Sequence, residues 1–78
     1  MSPSADKRDL LRTRAYRSIK EMILLEKAPA GSFLSKRQLA RELDMSPTPV
    51  HSALERLEAE GFVRISPQEG IVVREFLI

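Results

Sequence analysis

Two prolines separated by a single residue, Pro47 and Pro49, constrain this chain more than anything else in its sequence. Proline lacks a backbone N–H, and its ring obstructs the carbonyl four residues earlier, so neither can stand inside a helix. Both are harmless in a helix's first turn, where the N–H groups have no intrahelical partner. Ser46 supplies a preferred N-cap just before them, and Gly61 supplies a C-terminal stop. Between these limits Val50, Ala53, Leu54 and Leu57 recur at helical spacing. The pattern predicts a helix over about residues 47–60 with one buried stripe.

The flanking segments are equally readable. Ser35-Lys36-Arg37-Gln38 has the form of a capping box, with the Ser35 hydroxyl accepting from the Gln38 N–H and the Gln38 side chain reaching back to the N–H of Ser35. A short helix follows, with Leu39, Ala40 and Leu43 on one side. It stops at Asp44-Met45, and Asp44 tolerates the left-handed conformation of a tight turn. Further upstream, Asp9 can cap a helix running to about Lys27. Its broad apolar face collects Leu11, Ala15, Tyr16, Ile19, Met22 and Ile23, and Pro29 and Gly31 end it. Phe33-Leu34 adds a short extended segment. After Gly61, Phe62 to Ile65, then Ser66-Pro67-Gln68-Glu69-Gly70, then Ile71 to Arg74 read as strand, turn, strand.

Composition excludes most chemistry. A chain of 78 residues allows one small domain. Without cysteine there is no disulfide and no thiolate metal site, and His51 alone cannot build a His-based zinc site or triad. No glycine-rich loop offers a phosphate cradle, so neither an enzyme nor a cofactor is expected. The longest apolar run, Met22 to Leu25, cannot cross a bilayer, and the first twelve residues lack a signal-peptide core. The expected compartment is the cytoplasm, with no membrane partner. The net charge of +2 conceals an asymmetry. Lys7, Arg8, Arg12, Arg14, Arg17 and Lys20 face only Asp6 and Asp9 at the front of the chain, whereas carboxylates outnumber arginines after Met45. A basic front suits contact with a polyanion, although a solvated tail and an ordinary charged helix face would look the same.

Helix, helix, tight turn, helix and β-hairpin is the element order of a winged helix-turn-helix, a mainly α fold with a small β-hairpin. Leu39, Leu43, Met45, Val50 and Ala53 sit where two steeply crossed helices need apolar contacts, and Ala40 is small where a large side chain would hold them apart. A generic three-helix core needs the same apolar residues but neither the short turn nor the two caps. In a helix-turn-helix the third helix presents its N-terminal half to the DNA major groove. Its outward face carries Thr48, Ser52, Glu55 and Ala59, flanked by His51 and Arg56. Thr48 can donate, accept, or touch a thymine methyl, but the face lacks an arginine aimed at guanine. Glu55 repels phosphate unless it meets a cytosine amino group or points away. A merely solvated polar face would also carry Thr48 and Ser52.

From Tyr16 to Val73 the chain resembles the N-terminal DNA-binding domain of the GntR family of bacterial transcriptional regulators. The resemblance rests on Tyr16, Ile19, Ile23, Gly31, Leu34-Ser35 and Arg37-Gln38-Leu39-Ala40. It continues through Leu43, Ser46-Pro47-Thr48-Pro49-Val50, Ala53-Leu54, Leu57, Glu60-Gly61-Phe62-Val63 and Gly70. The Leu-Ser and Thr-Pro-Val steps look more like the FadR-type branch. The resemblance implies DNA contacts at Arg37, Ser46, Thr48 and His51, with Glu69 and Gly70 at the wing tip near the minor groove. Two departures reduce the cation count: Pro47 and His51 stand where the family usually has arginine. Gln68 suits the minor groove better than its acidic neighbour Glu69.

The expected DNA-contacting set is therefore Ser35, Lys36, Arg37, Ser46, Thr48, His51, Ser52, Gln68 and Gly70, with Arg41, Arg64 and Lys20 as secondary phosphate contacts. Its partner is double-stranded DNA. The resemblance further implies homodimerisation through a C-terminal, effector-binding domain beyond this chain. The expected layout is a disordered arm over 1–8, the winged helix over 9–75 with its wing at about 66–70, and the start of a linker at 76–78. The alternative is a winged-helix module for protein contacts without specific DNA binding, suggested by the weak basic balance and by Glu55, Glu58 and Glu60. Glu55 and Glu58 read as solubilising charges.

Overall fold

The computed structural model describes residues 7–67 and 70–75. In chain order the elements are α1 (Lys7–Leu24), β1 (Phe33–Leu34), α2 (Lys36–Glu42), α3 (Pro47–Ala59), β2 (Val63–Ser66) and β3 (Gly70–Val73). The double-proline segment is helical and starts at Pro47, as its two missing N–H groups require.

The first helix differs from expectation at both ends. It begins at Lys7, so Lys7 and Arg8 belong to α1 and not to a disordered arm; residues 1–6 and 76–78, the remainder of the arm and the linker, lie outside the described residues. Asp9 is not the cap. It lies in the first turn, where a carboxylate favours the positive end of the helix dipole, and it pairs with Arg12 one turn later. The helix ends at Leu24, short of Lys27. Glu26 turns left-handed at φ 59°, and the N–H of Lys27 donates to the Met22 carbonyl at 2.9 Å. Pro29 keeps the preceding residue out of helical geometry, and the early turn lets Ala28 pack into the core.

All three helices close in this way. The N–H of Met45 donates to the Ala40 carbonyl and that of Phe62 to the Leu57 carbonyl, both at 2.9 Å, around Asp44 at φ 56° and Gly61 at φ 89°. These are Schellman closures, in which one left-handed residue lets the chain return its N–H groups to the last open carbonyls. Glycine adopts that conformation freely; a glutamate or aspartate does so at a cost of about 1–2 kcal/mol. At the start of α2 only half of the capping box forms. Ser35 Oγ accepts from the Gln38 N–H at 3.2 Å, but the Gln38 amide donates forward to Glu42 at 3.3 Å.

The core lies between the helices and the sheet. Ala15, Tyr16, Ile19 and Ile23 of α1 meet Val50, Ala53, Leu54 and Leu57 of α3, with Leu39 and Ala40 entering from α2. The predicted hairpin proves to be two-thirds of a three-stranded antiparallel sheet in the order β1-β3-β2. β1 pairs Phe33 with Val72 and Leu34 with Ile71, and the Gly31 N–H extends the ladder to the Val73 carbonyl at 2.7 Å. On its other side β3 pairs with β2 from Val63–Val73 to Ser66–Gly70. An isolated two-stranded hairpin is marginal in water; a third strand and an apolar face on the helices hold this one. Val63, Ile71 and Val73 supply that face.

Candidate nucleic-acid interface

The buried stripe of α3 faces the core, so the opposite face is left to solvent. Thr48 and Glu55 are exposed there, and His51 and Ser52 are half-buried. Ser46 holds the N-cap position with extended backbone, yet its hydroxyl makes no capping bond. The reason lies in the sequence. A cap hydroxyl accepts from the second or third N–H of its helix, and Pro49 occupies the third. With Pro47 at the first position, Thr48 alone keeps a backbone donor among the first three residues of α3. The positive end of α3 therefore offers the N–H groups and the exposed hydroxyls of Ser46 and Thr48.

The predicted residues gather at two adjoining concavities. One lies between α1 and the front of α3, where Ser46, Thr48 and Ser52 meet Leu11 and Arg12, with buried Pro49 at its floor. The other lies between α2, α3 and the wing, where Ser35, Lys36 and His51 meet Ser66, Pro67 and Gly70. Arg37 is exposed on α2 and lines neither, and among the described residues it makes no ion pair. Gln68, with Glu69, lies outside the described residues. Sequence reasoning had no reason to single out Arg12; its signal was the basic surplus at the front of the chain, which α1 carries to the side of Thr48. Pro49 was legible as a marker of the helix start but not as a buried part of the concavity, since prolines are mostly exposed.

Acidic side chains interleave with this surface. Glu55 Oε2 lies 3.6 Å from His51 Nε2 one turn earlier on α3, so its charge is directed along the helix toward the imidazole. Glu58 does more than solubilise: its Oε2 accepts from the backbone N–H of Ile65 in β2 at 2.9 Å. Glu60 closes a cluster away from the front of α3. It accepts a hydrogen bond from the buried Tyr16 hydroxyl, and Arg56 Nε approaches it at 3.4 Å. The Arg56 guanidinium stacks 4.0 Å from the Tyr16 ring centre. Lys20 donates to the Tyr16 hydroxyl at 3.2 Å and lies over the rings of Tyr16 and Phe62. Lys20, a secondary phosphate candidate, is thus engaged in joining α1 to the turn between α3 and β2.

The Tyr16 hydrogen bond, aided by the Arg56 bond and the charges of Lys20 and Arg56, holds the Glu60 carboxyl below the usual 4.5 against a smaller opposing effect of burial. A carboxyl depressed in the folded state stabilises fully above its unfolded value, and that contribution disappears as pH falls through the folded value. Thermal melts should therefore show the native chain losing stability below about pH 4.5, with Glu60→Gln showing a shallower acid loss. Parallel acid profiles for the two proteins would remove Glu60 from the account.

Three helices, a short left-handed turn between the second and third, and a small sheet packed beside the exposed face of the third define a winged helix-turn-helix. The family model for bacterial regulatory proteins of the gntR family matches residues 11–73. This chain belongs to the GntR family. It is 42% identical over 59 residues to an uncharacterized HTH-type transcriptional regulator from the TAR-I ttuE-ttuC' intergenic region of Agrobacterium vitis, covering 76% of this chain and 34% of that protein. It is 41% identical, also over 59 residues, to one from an unstable DNA locus of Streptomyces ambofaciens, covering 74% of this chain and 25% of that protein. The chain thus spans about a third and a quarter of the lengths of these relatives. Among solved structures, a GntR-family regulator from Pseudomonas syringae pv. tomato superposes with a TM-score of 0.79 at 29% identity, over 92% of this chain and 30% of that one. Lar, described as controlling expression of the Listeria monocytogenes agr system, also superposes at 0.79, with 26% identity over 87% of this chain and 32% of that one.

Proposed function

We propose that this chain is the sequence-specific, double-stranded DNA-binding domain of a bacterial transcriptional regulator, with α3 in the major groove and the wing near the minor groove. One observation carries this. The apolar side of α3 is wholly used in the core, while its other side presents Thr48, His51 and Ser52 between cations on α1 and α2 and the base of the wing. Small side chains at the front of the helix allow close approach to base edges, and the hydroxyls can donate or accept there. Arg12, Lys36 and Arg37 would meet phosphates on either side, and Gly70 would let the wing backbone come close. Lineage supports a regulator whose remaining length carries an effector-binding and dimerising domain, and the Leu34-Ser35 and Thr48-Pro49-Val50 steps support a parent of the FadR type. Such a protein works in the cytoplasm; among the described residues no helix is long and apolar enough to cross a membrane.

Selection of binding sites from random duplexes, for the native chain and for Thr48→Ala, tests this placement. Thr48→Ala should change the preferred base at one or two positions. Arg37→Ala should weaken binding evenly across sequences and reduce the salt slope by about one. An unchanged consensus for Thr48→Ala would remove α3 from the major groove.

A further inference from the structure

Glu58 stands in the last turn of α3, on a helix whose exposed acids should hinder DNA binding, yet its carboxylate is committed to the protein's own backbone. Its acceptor, Oε2, lies 2.9 Å from the N–H of Ile65 in β2. β2 is an outer strand of the sheet, with β3 on one side only. Ile65 stands opposite Ile71 of β3, but its N–H turns to the other side, where no strand lies among the described residues. Glu58 fills that place.

The covalent connection between α3 and β2 is a short turn through Gly61 at φ 89°, closed by the Phe62 N–H on the Leu57 carbonyl and by the buried Phe62 and Val63, which fix the start of β2. A helix read in one groove and a wing read in the next must keep a set separation along the duplex, and a closure at the start of β2 does not by itself fix the strand's outer edge at Ile65. We propose that Glu58 is a positioning residue for DNA recognition, locking the outer edge of the wing to the recognition helix so that both reach their grooves together. This rests on the DNA-binding function proposed above. The property required is an acceptor oxygen of the right reach, which glutamine retains and alanine lacks; the negative charge itself is not required.

The test uses the 78-residue chain with Glu58→Ala and Glu58→Gln, read by amide exchange at Ile65 and by footprinting on the selected DNA site. Hydroxyl radicals report the minor groove, and methylation of guanine N7 reports the major groove. For Glu58→Ala we expect Ile65 exchange to accelerate about tenfold and affinity to fall about five- to tenfold, the loss of one such bond. Minor-groove protection should fade while N7 protection persists, a separation that general destabilisation would not produce. Glu58→Gln should stay within about threefold of the native chain on every readout, because its amide oxygen keeps the acceptor and gives up only the added strength of a charged one. Tighter binding by both variants would mark Glu58 as a repelling charge, and intact minor-groove protection in Glu58→Ala would show that the wing holds without it; either overturns the proposal alone. A native chain that leaves no footprint overturns the DNA-binding function and this proposal with it.

Discussion

Raising monovalent salt from about 50 to about 200 mM is expected to weaken binding of this domain to duplex DNA by about 250- to 1,000-fold. Each phosphate neutralised by the protein releases condensed counterions, so the log–log slope approaches −0.9 per contact, and about four to six contacts give a slope near −4 to −5. Those contacts must come from local charge, because a net +2 spread over the surface would not supply them. Lys36 beside His51, the exposed Arg37 and Arg41 of α2, and Arg12 beside Thr48, which would exchange its half-exposed partner Asp9 for phosphate, supply about four charged contacts around α3, and the N–H and hydroxyl of Thr48 add an uncharged one. Lys20 and Arg56 are excluded from the sum, since both are bound up with Tyr16 and Glu60. Glu55 subtracts, although its carboxylate is directed along the helix toward His51, 3.6 Å away. Isothermal titration or fluorescence anisotropy across the salt range reads the slope directly. A slope near zero would mean that α3 meets something other than a phosphate backbone, as a protein-contact module would.

What sequence revealed about this fold was local, and what it concealed depended on distant neighbours. Pro47 and Pro49 act within one turn, so the start of α3 could be placed to the residue. Gly61 and Asp44 likewise carry their left-handed conformations in their own chemistry. Glu26 does the same work at the end of α1 with a side chain that offers no hint of it; burial of Ala28 and the restriction from Pro29 decide that turn. β1 is two residues long, too short for any alternation, and its partner Val72 lies far along the chain, so Phe33-Leu34 was legible as extended while its pairing with the hairpin was not. Among the candidate site residues, the hydroxyls of Thr48 and Ser52 announced themselves through helical spacing. The tasks of Glu58 and Glu60 did not, because each finds its partner across the fold, one in β2 and one in Tyr16. Surface acids look alike until a tertiary neighbour gives them separate roles.

Leu54→Ala should be among the most damaging single substitutions in stability, costing about 3 kcal/mol within the usual 2–5 range for such truncations. Leu54 is wholly inaccessible to solvent in the middle of α3 and lies at the base of the wing-side concavity near Ile65 and Ile71. Truncation removes its apolar contacts and leaves a void that can relax only by moving α3 or the sheet, both fixed by other packing. A domain of this size commands about 4–12 kcal/mol in all, so the variant would stand near the threshold of folding. In a chain this short, each kcal/mol moves the melting point by about 4–8 °C, which puts the expected fall at about 12–24 °C. Leu10→Ala is the control, because Leu10 is 59% exposed at the start of α1 and should cost under about 0.5 kcal/mol. Differential scanning calorimetry of both variants separates the outcomes. Equal melting points for Leu54→Ala and the native chain would show that α3 does not pack between α1 and the sheet, and the outward placement of Thr48, His51 and Ser52 would fall with it. A large loss in stability with DNA affinity retained at low temperature would instead confine Leu54 to holding the scaffold, since the folded fraction would still present the same face to the groove.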